Sequence, residues 1–505
     1  MILTSMLHID SGHLNRGWYR LYRMRSLLFG FIYSSLIVLF SIFLSSCGPT
    51  EKFNIRQSTS HPWYWSHGDK TVLLLGASDD DNLFQWPAWD LTSQLDRLER
   101  AGGNIVRNTM SDRKDFGFEV YPFHLVEDGT YDLNQWNKEY WNRLERLLVE
   151  TAEREIVVQI EIWDRFDYTD LKAVGDEGHW NRHPYNPQNN INYNAEASGL
   201  ATAYPRYPAA IEHPFFYTTP EQDNNHTVLQ YQQRFVEKLL EHALDYGHIL
   251  YCIDNETSGD TKWSTYWSGF IREKATQQNK TVYIAEKWDD WNLEVDQHRP
   301  SFDHPEPYDF VEVSQNTHKR GSKNWDQFLF VKNHLSNNPR PINTIKTYGA
   351  DGNTFGDSDQ DGIERFWRHL LGGAAAIRFH RPDSGLGLND KAMACIKTAR
   401  KIETMVPFWS LQFYSNLLSD LTENTAYVAA DIGQSYVVYI ANDGEATLDV
   451  SDAEHPLELF WFEIDPAVMG KRNAQFPEFV SRQSQLRLKP PGQGNWVAVL
   501  LRKDR

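Results

Sequence analysis

Cysteine is nearly absent from this chain, with three in 505 residues, at positions 47, 252 and 395. So few thiols, so far apart, exclude a disulfide scaffold. No CxxC or HExxH pair occurs, so a structural zinc site is not expected. Positive charge is also short: 50 Lys and Arg stand against 68 Asp and Glu, a net charge of −18. That field repels polyanions and no basic stripe offsets it, so nucleic acid is not an expected partner. Proline and glycine are ordinary (22 and 30) and no tract is low in complexity, which excludes disorder for the bulk of the chain. What abounds is aromatic: 14% of residues, 18 of them Trp. A chain of this length buries a large core and divides into two to four domains, unless an α/β barrel absorbs most of it.

Arg25 is followed by an apolar run over residues 27–44, relieved only by Ser, Gly and Tyr. Eighteen residues lie between a long signal-peptide core and a short membrane span. The sequence after it, Leu44-Ser45-Ser46-Cys47-Gly48, resembles the bacterial lipobox. The resemblance implies a signal peptide over residues 1–47, lipid attached to Cys47, and a protein exported and anchored at the bacterial outer membrane. An uncleaved N-terminal anchor is the alternative. Met24-Arg25 makes a more natural start than Met1. Cys252 lies within an apolar strand pattern, where a thiol behaves as a small buried hydrophobe.

From about residue 60, short β-rich runs alternate with amphipathic stretches. Strands are expected at 71–75, 104–108, 156–162, 249–253, 281–285, 310–314, 342–345 and 375–379. Between them lie helical stripes such as Tyr140, Leu144, Leu147 and Leu148, and Phe235, Leu239, Ala243 and Leu244, the second stopping at Tyr246-Gly247. Continuous apolar strands alternating with helices indicate a parallel sheet covered on both faces. Eight units over residues 60–402 predict a (β/α)8 barrel. Residues 403–505 change to period two, with turns at Asn442-Asp443-Gly444 and Pro490-Pro491-Gly492, and predict an antiparallel β-sandwich. No linker precedes it, so it is expected to pack on the barrel, in a monomer.

Function in such a barrel gathers at the C-terminal ends of the strands. Those ends carry Asp79, Asp80 and Asp81; Arg107 and Asn108; Glu161 and Asp164; Asp254, Asn255 and Glu256; Glu286, Lys287 and Trp288; Gln315 and His318; Lys346 and Tyr348; and Arg378, His380 and Arg381. Desolvating a charge costs on the order of several kcal/mol, so such a concentration needs a reason. Carboxylates from different strands around one cavity, with Trp beside them, fit glycoside cleavage, which needs a protonated acid and a second carboxylate as nucleophile or base. Trp163, Trp288 and Trp291 serve equally as sugar platforms or as packing.

Ile253-Asp254-Asn255-Glu256, closing the fourth strand, resembles the Asn-Glu signature of the clan A retaining glycoside hydrolases. The flanks GASDDDNLFQ (76–85), GNIVRN (103–108), Trp180 with HPYNP (183–187), QNTH (315–318) and YVVYI (436–440) resemble the apiosidase-like, cellulase-like branch, whose members often carry a C-terminal β domain of the collagen-binding type. The resemblance spans residues 60–505 and implies that Glu256 is the acid/base, without a cofactor. The chain departs from it at the seventh strand, where Lys346 stands at the position of the clan's nucleophilic Glu. A Lys cannot form a glycosyl ester. The second carboxylate then comes from another strand, with Glu286 preferred and Glu161 and Asp164 in reserve; or the enzyme inverts with a more distant base; or the site only binds. Glu256 paired with Arg107, or Lys346 paired with Glu256 or Glu286, are the structural alternatives. A functional Lys346 would keep a neighbouring carboxylate ionised.

The expected substrate is a polysaccharide or oligosaccharide oriented by Arg107, Asn108, Asn255, His318, Tyr348 and Arg378. Arg378, His380 and Arg381 suggest an acidic glycan, because the guanidinium fork fits carboxylate or sulfate. Two rivals stand beside hydrolysis: a non-catalytic carbohydrate-binding surface lipoprotein, and a polysaccharide lyase in which Lys346 or His380 abstracts a proton beside a uronate. Asp357, Asp359 and Asp361 before Gly362 match the opening of a calcium loop, although Arg368 stands where its closing Glu belongs. A solvated acidic turn is the alternative.

Overall fold

The computed structural model describes residues 53–113, 116–170, 179–205, 213–352, 357–422, 424–442, 444–467 and 478–503. The expected leader at 1–47 and its Cys47 lie outside them. Eight parallel strands form one sheet: β1 (Leu74–Ala77), β2 (Ile105–Thr109), β3 (Val157–Asp164), β4 (Ile249–Asn255), β5 (Ile284–Ala285), β6 (Val311–Glu312), β7 (Ile342–Thr347) and β8 (Ala376–Phe379). Their order is β5-β4-β3-β2-β1-β8-β7-β6. The last gap is bridged where the Asp309 amide, just before β6, donates to the Ile284 carbonyl at 2.8 Å. This is the predicted (β/α)8 barrel.

The helices follow in alternation: α1 (Ala88–Ala101), α2 (Lys138–Glu153), α3 (His226–Ala243), α4 (Thr261–Gln277), the short α5 (Arg299–Asp303), α6 (Gly321–His334), α7 (Asp359–Gly372) and α8 (Asp390–Glu403). Each long one buries the stripe that its apolar spacing dictates. Tyr140, Leu144, Leu147 and Leu148 of α2 are all buried, and Asn137 caps its first turn by accepting from the Glu139 amide. The predicted end of α3 at Tyr246-Gly247 comes three residues late. Gly247 is instead where the N-terminal segment crosses: a Cβ there would stand 3.0 Å from Asn54, and the Gly247 carbonyl accepts from the Ile55 amide.

The first strand also differs from expectation. Lys70–Val72 pairs antiparallel with Trp65–His67, which pairs with Ile55–Gln57, so the barrel begins only at Leu74. Both segments are rich in β-formers, and pattern alone does not separate a hairpin strand from the barrel strand that follows it. The hairpin projects Trp65, fully buried, against Tyr283 and Phe310, with its indole donating to Asn343 at 3.1 Å. A polar chain continues upward: Asn343 donates to Gln159 and Gln159 donates to Glu312, both at 3.0 Å. The interior of this barrel is therefore a hydrogen-bonded column as well as an apolar core.

After α8 the chain forms a six-stranded antiparallel sheet and a three-stranded one. The sandwich is pinned to the barrel. Tyr439 stacks on Trp367 of α7 at 5.8 Å and 6°, Arg368 lies over Tyr427, and Gln360 and Asn495 exchange two 2.8 Å hydrogen bonds. Cys252 and Cys395 are both free and buried.

Candidate active site

Glu256 follows the last residue of β4 and adopts φ of +61°, a left-handed conformation that costs a non-glycine residue on the order of 1–3 kcal/mol. This strain turns its carboxylate into the bowl above the sheet. Lys346, from β7 three strands away round the ring, reaches across to touch one oxygen, and Arg165, following β3, meets the other at 3.3 Å. Arg165 also grips Asp289 with two bonds of 2.5 and 2.8 Å. Lys346 is a bar across the bowl. Burial, reinforced by Arg107, pushes its ammonium down to about 7, against the pull of Asp81, Glu161 and Asp164.

Beneath the bar runs a chain of buried ion pairs. Lys287 of the β5 end touches Glu161 of β3, and Glu161 accepts from the Arg107 Nε at 2.7 Å. Arg107 reaches Asp81 at 2.5 Å, and Asp81 in turn faces Arg378 at 3.2 Å and His380 at 3.5 Å. Burial pushes the Asp81 carboxyl up, but Arg107, His380, Arg378 and Arg381 together outweigh it and hold the group well below the usual range. Glu161 is likewise lowered against its burial by Arg107 and Lys287. Arg107 is the joint of this chain, with its charge reinforced well above its ordinary range despite burial.

The expected site residues divide accordingly. Glu256, Lys346, Arg107, Glu161, Asp164 and His380 gather at the bowl, with Asp164 3.4 Å from Arg113. Asn255 and Gln315 lie at the same strand ends, and the Asn255 Oδ1 and Gln315 Nε2 are buried without a hydrogen-bond partner among the described residues. Both atoms have hydrogen-bonding capacity left for a polar molecule that reaches those strand ends. Along the rim, Trp291 stacks on His318 at 4.1 Å and 14°, His318 meets Tyr348 edge-on at 4.9 Å, and Tyr348 meets His380 at 4.9 Å. Burial lowers His318 to about 4, so this arc carries no charge at neutral pH from that ring. Trp291 is half exposed and presents the open aromatic face.

Four expectations are corrected. Glu286 is fully buried and turned away from the bowl: one oxygen accepts from the backbone amides of Asp254 and Lys287 at 3.0 and 2.8 Å, and its carboxyl meets that of Asp254. Burial and the Asp254 charge push it well up, and burial raises Asp254 to about 7, so the two share a proton instead of serving a substrate. Arg378 is fully buried and spends its donors on Ser78, the Asp80 and Ile345 carbonyls and Asp81, so it is a strut between strands, not a receptor for an acidic sugar. Asn108 holds the loop after β1 by accepting from the Phe84 amide at 3.0 Å. Trp288 is buried with its indole donating to Ser301, and Trp163 packs among Phe215, Phe235 and Trp267, so neither is a platform.

The calcium-loop pattern has another cause. Ser358 caps α7 and forms a reciprocal capping box with Asp361; Asp359 takes Lys391 at 2.6 Å, and Asp357 pairs with Arg320 and Arg365. Gly362 is required because Gly349 lies against it: a Cβ on Gly362 would stand 2.8 Å from the Gly349 carbonyl oxygen. Among the described residues no group of three or more His, Cys, Asp or Glu is placed to hold a metal ion. Added calcium is expected to leave the Tm unchanged, whereas Ser358→Ala, measured by urea denaturation, should cost about 1 kcal/mol.

Sequence reasoning passed over Arg165, which meets Glu256 from one side, and Asp289, which holds Arg165 in place. Arg165 directly follows Asp164 at a strand end, and that position was the available signal. Asp81 was legible as a strand-end residue but not as a carboxylate held firmly ionised, because its three arginines, Arg107, Arg378 and Arg381, come from β2, β8 and the loop after it.

This architecture places the chain among the (β/α)8 barrels that carry a C-terminal β-sandwich. Two solved structures share it over nearly their whole length. One, described as a glycoside hydrolase, aligns with a TM-score of 0.61 at 12% identity over 90% of this chain and 99% of its own. The other, a glycoside hydrolase family 5 protein from Bacteroides vulgatus, aligns with a TM-score of 0.60 at 12% identity over 90% of this chain and 96% of its own. At that identity the shared property is the fold, both domains included. No protein-family model matches the chain, and no curated protein matches it.

Proposed function

We propose that this protein is a glycoside hydrolase in which the Glu256–Lys346 pair supplies the proton to the leaving oxygen and Asp81 is the ionised carboxylate across the bowl. The observation that carries the reading is Glu256 itself: an acidic residue held in a costly backbone conformation at the end of β4, turned into a bowl of charged groups and unsatisfied polar atoms. Such strain persists where the surroundings enforce it, and it clusters at functional sites. The fold shared with glycoside hydrolases supports the same conclusion by analogy. Asp81 replaces Glu286 in this scheme because Glu286 is sequestered with Asp254. The carboxyl separation in a ligand complex decides the outcome: about 5–5.5 Å for retention, a longer gap for inversion. The lipobox at Cys47 supports export and lipid anchorage, and cleavage of a glycan outside the cell is the corresponding role.

The test is release of reducing ends from neutral and acidic polysaccharides by the purified protein. Production of ultraviolet-absorbing unsaturated uronyl ends would mark a lyase instead. A second reading, binding without cleavage, is favoured by one observation: Lys346 occupies the bowl and neutralises Glu256. Glycan binding by wild-type protein that releases no reducing ends from any polysaccharide would establish it.

The paired proton also sets a pH dependence. Lys346, pushed down to about 7, holds its proton below that pH and loses it above, so the rate should fall as pH rises through about 7. On the acid side Asp81 stays ionised below the ordinary carboxylate range, so no loss is expected there from that group. Lys346→Arg keeps the charge but cannot titrate; its residual rate should be flat across the neutral range. An unmoved limb would assign the titration to another group.

A further inference from the structure

The outer faces of α3 and α4 enclose a groove of about 660 Å³, within the range of about 300–1,000 Å³ typical of small-molecule sites. A second hollow of about 390 Å³ shares Pro220, Gln233 and Tyr266 with it, so the depression continues toward the start of α3. Tyr266 and Phe270 lie one turn apart on α4, their ring centres 6.3 Å apart and their planes within 23°. Both set themselves edgewise against the fully buried Trp267, at 5.2 and 5.5 Å, which fixes the pair as a shelf. The Gln233 amide donates to the Tyr266 hydroxyl at 2.6 Å.

Gly269 is part of the same lining, in the middle of α4. A glycine in a helix interior costs about 0.5–1 kcal/mol relative to Ala. Packing does not require it here, because a Cβ would find no atom within 4 Å. What the missing side chain does is leave the groove open beside the aromatic shelf.

We propose that this groove is a glycan-binding subsite, distinct from the bowl, that holds a polysaccharide chain passing down the outside of the barrel. Lys274 lies over the Phe270 ring at 5.1 Å, so Tyr266 supplies the aromatic face for a sugar ring, while Gln233, Lys262 and Glu273 around it offer donors and acceptors to the hydroxyls. A groove that docks protein would be anchored by deeply buried apolar side chains with charge only at its rim. One end of the groove is at the first turn of α4, where Lys262 lies six residues after Glu256 in the chain, so it opens toward the end of the barrel that holds the bowl. The subsite rests on the proposed function only for the chemical class of its ligand, not for hydrolysis.

Affinity electrophoresis through gels cast with galactomannan, xylan, mixed-linkage β-glucan or pectate tests it. Wild type should be retarded in at least one. Gly269→Leu fills the groove with a better helix former and should weaken retardation at least fivefold; Tyr266→Ala, which removes half of the shelf, should do the same. Release of reducing ends from a short oligosaccharide of the same sugar should be unchanged in both variants. Absence of retardation for wild type in every gel, or equal retardation of wild type and Gly269→Leu, would overturn the subsite while leaving the bowl's activity standing. Retardation that depends on Gly269 without any hydrolysis would keep the subsite and remove the hydrolase. A wild-type dimer in sedimentation that Gly269→Leu dissociates would assign the groove to a second copy of the chain and overturn the proposal.

Discussion

Glu256→Gln is expected to reduce kcat/KM for glycoside cleavage by about 10²–10⁴, the usual contribution of a positioned proton donor. The amide keeps the shape of the side chain and its place beside Arg165, so the bowl should still bind sugar and the fold should be retained. Lys346 would lose its contact carboxylate and, already lowered by burial, should lose its proton more readily. The measurement is reducing-end release alongside ligand affinity by calorimetry. Equal turnover in wild type and Glu256→Gln would remove Glu256 from catalysis and with it the proton pathway proposed above. Glu256→Gly and Glu256→Ala separate strain from chemistry: both abandon Lys346 and Arg165 and should abolish turnover, but glycine relieves the φ of +61°, so the Gly variant should be the more stable of the two.

Arg107→Ala should be the most damaging single change to stability. The guanidinium is buried between Asp81 and Glu161, and removing one partner of a buried ion pair costs about 3–5 kcal/mol, because the abandoned charge stays desolvated. Glu161 retains Lys287, whereas Asp81 keeps only the β8 side, so the loss falls mainly on Asp81. Its pH dependence has a definite sign. A carboxyl lowered in the folded state stabilises above its unfolded pKa, and that contribution disappears as pH falls through the folded value. Wild type should therefore hold this contribution to below the ordinary Asp range, and Arg107→Ala should lose it at higher pH. Urea midpoints measured from neutral to acid pH check both statements. A variant within about 1 kcal/mol of wild type at neutral pH would show that the chain of ion pairs is not what holds the strand ends together.

The barrel was legible because its signals are local. Eight short β-rich runs with helical stripes between them need only neighbours in the chain, and the stripe Tyr140-Leu144-Leu147-Leu148 became a buried helix face. The sandwich after the last helix was readable for the same reason, from period-two alternation and turn residues. The strand-end inventory located the charged bowl, and the Asn255-Glu256 pair at the fourth end pointed to a carboxylate that meets Lys346 and Arg165 there. Errors arose where a residue's meaning depends on what stands opposite it. Glu286 and Glu256 both close strands, yet one turns behind the sheet to Asp254 and the other into the bowl, a choice made by backbone dihedrals that no spacing reveals. Arg378 has the chemistry of an anion receptor, but Ser78, Asp80, Asp81 and Ile345 use its donors. The acidic run before Gly362 copied a calcium loop because a helix cap needs the same small acidic residues.

Periodicity and composition thus determined, by themselves, a barrel followed by a sandwich, an acidic surface, and a ring of titratable groups at the strand ends. Tertiary structure alone decided which of those groups face one another: that Lys346 crosses the bowl to Glu256, that Asp81 gathers its cations, and that Glu286 is withdrawn. The reason is physical. Secondary structure follows from interactions between residues a few positions apart, whereas the charge state and reach of a buried side chain depend on partners as much as 300 residues distant, brought within 4 Å only when the barrel closes.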